Sequence, residues 1–153
     1  MQNNNLPASL RLLFNNPFLE MMNVLFIINA FSNKSGLNIR HILFYYSLAL
    51  SDNEVTIFNI DTKPNDLQDS ENVYFDIQRQ IKVIILNLYS QNYISISNDK
   101  TENYSCSMTT EGLQMISQLE SPYYKKLQER IEGIKKQTKY SVESEKIIMG
   151  VKK

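Results

Sequence analysis

The segment Asn16 to Phe31 constrains this chain more than any other. A residue before proline is pushed out of the α region, proline suits the first helical position, and Asn16 can cap, so the sequence predicts a helix from Pro17 to about Phe31. Phe18, Leu19, Met21, Met22, Val24, Leu25, Phe26, Ile27, Ile28 and Phe31 cover nearly every face of it. A surface helix needs only one apolar stripe. A membrane-crossing helix needs about 18 apolar residues or more, and this one is shorter and carries Glu20, Asn23 and Asn29. A buried helix follows, covered by its own chain with part of it expected to face a partner protein.

With 153 residues, 42% of them hydrophobic, one core can form without staples, so a single domain over 1–153 is expected. Cys106 is the only cysteine, which excludes an internal disulfide and any zinc site built on two thiolates. Met1 is followed by Gln2-Asn3-Asn4-Asn5, with no basic region and apolar run of an export signal, so a cytoplasmic protein is expected, with no membrane contact. Sixteen basic residues balance sixteen acidic ones, giving the whole chain no long-range attraction to nucleic acid. The distribution is uneven: Asp52, Glu54, Asp61, Asp66, Asp69, Glu71 and Asp76 stand against Lys63 alone, whereas the chain beyond Ser121 is mildly basic.

Residues 1–14 read as a flexible N-terminus. Ser35-Gly36 marks a turn, and Asn38 caps a second helix from Ile39 to about Leu50. Residues 53–73 read as an acidic insertion. From about Tyr74 or Asp76 a helical period returns in Ile77, Ile81, Ile84, Ile85 and Leu88, ending near Ser90. Tyr93–Ser97 and Tyr104–Met108 alternate with period two around a polar loop, a β-hairpin. Thr109 caps a short helix with Leu113, Ile116 and Leu119 on one stripe. Ser121-Pro122 starts a last helix, with Tyr124, Leu127, Ile131 and Ile134 aligned, which leaves the body as an extension over 122–153. The fold class is mostly α with a small β-hairpin, in the order of a winged helix with a C-terminal extension helix.

No phosphate-cradling loop, nucleophile elbow or paired-histidine motif is present, and four glycines leave little room for one. Any nucleophilic pair would have to join His41, the only histidine, to Cys106. A structural histidine and a small buried thiol are the plainer readings, so no catalytic residue, no cofactor, no metal and no enzyme activity is expected. The acids of 53–73 lack the spacing of a calcium loop. A winged helix raises DNA binding, for which Gln78, Arg79, Lys82 and Asn87 on the third helix are the candidates, as in a homodimeric transcription regulator of the PadR or MarR kind. Asp99 and Glu102 at the wing tip, with only Lys100, weaken phosphate attraction, so DNA contact should be weak or indirect.

Asn16-Pro17-Phe18 opening an apolar helix, the wing leading into Met108-Thr109-Thr110-Glu111-Gly112, and Ser121-Pro122-Tyr123-Tyr124-Lys125-Lys126-Leu127-Gln128-Glu129-Arg130 together resemble the middle component of bacterial ABC-three-component systems, related to Lamassu-type anti-phage defence. The resemblance runs from about Asn15 to Lys136, and the acidic insertion departs from it. It implies a non-catalytic adaptor that assembles with an SMC-like ABC ATPase and an effector, often a nuclease. Phe18, Met22, Phe26, Tyr123, Tyr124, Leu127 and Arg130 are the expected contacts with such partners or with the core.

Overall fold

The computed structural model describes residues 16–51, 68–98 and 104–150. The expected flexible N-terminus, most of the acidic insertion and the wing tip lie outside the described residues.

Six helices and three short strands are found among the described residues. They are α1 (Pro17–Phe31), β1 (Leu37–Asn38), α2 (Ile39–Leu50), α3 (Gln68–Ser90), β2 (Ile94–Asn98), β3 (Tyr104–Met108), α4 (Thr110–Ser117), α5 (Pro122–Gln137) and α6 (Val142–Ile148). The strands form an antiparallel sheet in the order β1-β3-β2.

α1 begins where the proline places it, and Asn16 Oδ1 accepts from the Phe18 and Leu19 amides at 2.9 and 3.4 Å. Every residue from Met22 to Ile28 is buried, because α2, α3, α4, α5 and β3 all pack around this helix. The middle of α1 is therefore covered by its own chain, and only its two ends, the first turn and Asn29 to Phe31, reach the surface. Burying each such aliphatic or aromatic side chain contributes roughly 1.5 to 3 kcal/mol, so this helix organises the core.

Asn38 caps α2 by accepting from the His41 amide at 2.9 Å. α3 starts at Gln68, well before the expected Tyr74 or Asp76. The extra turns look like linker in sequence, but Asp69 and Glu71 fall in the positive first turn, where acids are stabilising. Ser70 is fully buried, and its hydroxyl donates to Ser51 Oγ at 3.0 Å, tying the start of α3 to the end of α2. The last residues of the expected insertion thus belong to a packed helix.

The hairpin forms with Ile94 opposite Met108 and Ile96 opposite Cys106. It is a three-stranded sheet, since Leu37 of β1 pairs with Cys106. Gly36, at φ +93°, makes this approach possible: a Cβ there would lie 2.9 Å from the Cys106 carbonyl oxygen. Leu37, Ile94 and Cys106 point into the core.

In α4 Ile116 is buried and Gly112 packs inward, while Leu113, expected on the apolar stripe, is 47% exposed. The N-terminus of α4 lies against Tyr93, which turns the helix and carries Leu113 outward. Tyr124, Leu127, Ile131 and Ile134 of α5 are all buried, against α1 and α2. The sequence predicts that the chain leaves the body after Pro122, and here the structure differs: α5 is part of the core, and Thr138 to Ser141 turn it into α6, which packs on α2 and α3.

Candidate functional site

The expected contact residues divide sharply. Met22, Phe26, Tyr124 and Leu127 lie in the core, with Phe26 and Tyr124 stacked at 5.4 Å between ring centroids. Arg130 is half-buried and its Nε donates to the Leu48 carbonyl at 3.2 Å, joining α5 to α2. Tyr123 is exposed at its ring, but its hydroxyl donates to Asn23 Oδ1 at 3.1 Å. Phe18, in the first turn of α1, is 45% exposed.

Gln78, Arg79, Lys82 and Asn87 all lie at the surface of α3. Arg79 is held by the Asp76 carboxylate one turn earlier. Exposed pairs of this kind contribute little to stability, on the order of 0 to 1 kcal/mol, yet this one turns the guanidinium back along its own helix.

The apolar residues of the same helix face are more informative. α3 buries Tyr74, Ile77, Ile81, Ile84, Ile85 and Leu88 on its inner side. Residues three or four apart share a helix face, and Val83, Leu86 and Tyr89 form a second apolar stripe with Arg79 and Lys82 at its near end. They are 62, 62 and 53% exposed. Beside the stripe, Pro17, Glu20 and Met21 of α1 face Gln80, Ile84 and Asn87 across a groove of about 280 Å³. Burial pushes the Glu20 carboxyl up from its ordinary value. With its amide oriented to donate, Gln80 reaches both Glu20 oxygens, at 3.0 and 3.2 Å. This second stripe is absent from the sequence-based expectations; the signal that could have found it is that Val83 and Leu86 are apolar but fall off the core period.

A second polar centre joins α6 to the body. Glu145 is 1% exposed, and its Oε1 accepts from Arg40 at 2.5 Å and from the Tyr140 hydroxyl at 3.0 Å. Its Oε2 accepts from the Tyr74 hydroxyl at 3.1 Å. Burial alone would raise this carboxyl, but the hydrogen bonds from Arg40, Tyr140 and Tyr74 outweigh it and hold it below the ordinary carboxylate value. The cluster satisfies a buried charge and leaves no open coordination or reaction position of its own.

His41 stacks on Tyr140, ring centroids 3.8 Å apart, and burial lowers its pKa. Cys106 sits in the middle of the sheet with its thiol pushed up by burial to about 11, which keeps it protonated at neutral pH. The two share no hydrogen bond among the described residues, and each is accounted for by packing.

No helix among the described residues is long and apolar enough to cross a membrane. A search of the curated proteins and one of the solved structures give no match. A family model does match, over residues 41–147, which is more than half of the chain. The match takes in α2 through the end of α6 nearly whole, including the Ser121-Pro122-Tyr123-Tyr124 segment, and it spans the acidic insertion; Asn16-Pro17-Phe18 lies outside it. The chain belongs to the family of ABC-three component (ABC-3C) system Middle Component 4.

Proposed function

We propose that this chain is a non-catalytic adaptor of an anti-phage defence complex, built as a winged helix, that bridges or regulates an SMC-like ABC ATPase and a nuclease-type effector in the cytoplasm. Family membership supports a place beside the other components of such a system. The order helix, strand, helix, helix, strand, strand supports the winged-helix reading, with α3 as its third helix and β2–β3 as its wing.

The observation that carries the adaptor role is the outer face of α3. A DNA-reading helix presents basic and amide side chains to the groove. Here Val83, Leu86 and Tyr89 occupy that face and Arg79 is tied to Asp76, a composition suited to another protein's apolar surface.

The test is co-expression of the tagged chain with its genomic neighbours, followed by affinity recovery and size-exclusion chromatography. The unmodified chain is expected to bring down the ATPase, the effector or both. Val83→Asp with Leu86→Asp should weaken that recovery by at least about thirty-fold in affinity, the effect of one lost interface hot spot of about 2 kcal/mol, while the variant stays folded by circular dichroism. Equal recovery by the unmodified chain and the variant, or no partner for either, would overturn the proposal. A homodimer whose DNA binding is lost with Arg79→Ala and Lys82→Ala would replace it with the regulator reading.

A further inference from the structure

A different surface has the chemistry that α3 lacks. The ends of α1 and α5 and the middle of α2 enclose a cleft of about 630 Å³. Phe31, Ser32 and Tyr45 form one side of it, and Lys135, Lys136 and Lys139 the other. No carboxylate is among its described lining residues. None of the three lysines has an ion-pair partner among the described residues.

Lysines at the end of a helix are ordinarily explained by the negative end of its dipole. That accounts for Lys135 and Lys136, in the last turn of α5. It does not account for Lys139, which follows the helix and comes to the same cleft after the buried Thr138. Three like charges gathered at one cavity repel one another; the helix dipole offsets two of them and Glu132 lies beside Lys135 in the adjoining cavity, but no carboxylate lines the cleft itself among the described residues.

The cleft has an aromatic side. The rings of Phe31 and Tyr45 lie parallel, 3.8 Å apart and within 4° of coplanar orientation, and the half-buried Phe31 sits at the surface of the pair. The cleft adjoins a second cavity of about 360 Å³ between α1 and α5, which shares Ala30 and Lys135 with it and is lined also by Phe26, Gln128 and Glu132, so the basic character is confined to the first cleft. A basic cleft with an aromatic platform is the arrangement that holds single-stranded nucleic acid, whose phosphates meet the lysines while an unstacked base lies on a ring.

We propose that this cleft binds single-stranded nucleic acid through its phosphates, with Lys135, Lys136 and Lys139 as the phosphate contacts and Phe31 as the stacking surface. The inference concerns a face separate from the α3 stripe and does not require the adaptor reading.

The experiment is fluorescence anisotropy of a labelled oligothymidine of about fifteen nucleotides, a length that spans a typical single-strand site, with the full-length chain. Three phosphate contacts on a single strand give a salt slope of about −2, so affinity should fall about twenty-fold between roughly 50 and 200 mM salt. Lys135→Ala with Lys136→Ala and Lys139→Ala should abolish both the binding and its salt dependence, with the circular dichroism spectrum unchanged. Lys82→Ala, on the other face, should leave binding as it was.

Absence of binding at about 50 mM salt would overturn the proposal, as would binding that survives the triple substitution. A duplex of the same length bound as tightly as the single strand would overturn the single-strand assignment. Displacement of the oligonucleotide by micromolar inorganic pyrophosphate would overturn it in favour of a small phosphate ligand.

Discussion

Replacing Arg40 by Met is expected to lower stability at neutral pH by about 2 to 3 kcal/mol and to reverse the acid response of the protein. Removing one partner of a buried ion pair strands the other charge, which commonly costs roughly 3 to 5 kcal/mol. The lower figure applies because the Arg40 side chain is 63% exposed and Tyr74 and Tyr140 still donate to Glu145. For a domain of this size that corresponds to a fall of about 5 to 10 °C in Tm, readable by calorimetry.

The sign of the pH effect distinguishes this account from a packing defect. In the unmodified chain the Glu145 carboxyl titrates below its ordinary value, so its contribution is present above the unfolded-state pKa and is lost as pH falls through the lower, folded-state value. Without Arg40, burial becomes the dominant influence and the folded-state pKa moves above the unfolded one. The contribution is then present below the unfolded-state pKa and is lost as pH rises through the folded-state value. The stability gap between the two proteins should therefore narrow on going from pH 7 towards pH 4. A gap that stays constant across that range would rule out Glu145 as the cause.

Two glycines should respond to alanine with opposite signs. Gly112 is buried where α4 begins, and a Cβ built on it would collide with the Tyr93 carbonyl oxygen, which is backbone and cannot swing away. That same carbonyl accepts from the Thr109 amide at 3.1 Å, so a shift of α4 also disturbs the junction of hairpin and helix. Gly112→Ala is expected to destabilise by about 2 to 3 kcal/mol, the upper part of the range for forced overpacking. Gly133 in α5 has nothing within 4 Å of its virtual Cβ. Gly133→Ala should stabilise by about 0.5 to 1 kcal/mol, the intrinsic helix preference for alanine. Urea titration of both variants reads the difference; equal effects would mean that the α4 junction is looser than its geometry shows.

Element starts were the most legible part of the chain, because Asn16-Pro17, Asn38, Thr109 and Ser121-Pro122 carry local backbone chemistry that needs no tertiary context. The core stripe of α3, Ile77 through Leu88, followed from period alone. What escaped depends on contacts distant in sequence. The first turns of α3 are polar and become helix through the Ser70–Ser51 contact. β1 is two residues long and exists because β3 passes beside it. α6, Val142–Ile148, is short and charged, and its central Glu145 reads as a solvated residue until Arg40, Tyr74 and Tyr140 converge on it. The site residues fared as the over-apolar α1 suggested: with so many large side chains in one helix, sequence could not separate Phe18, which is exposed, from Met22 and Phe26, which are not.

The Glu145 cluster also bears on synthesis. Its hydrogen bonds span 105 residues back to Arg40 and 71 back to Tyr74. Chains emerge from the ribosome N-terminus first, at roughly 5 to 20 residues per second. The buried middle of α1 and the capped α2 can collapse early, but the Tyr74 hydroxyl cannot meet the Glu145 carboxylate until another 71 residues have been translated. For several seconds of each synthesis the nascent protein holds a hydrophobic core whose last clasp has not yet been made.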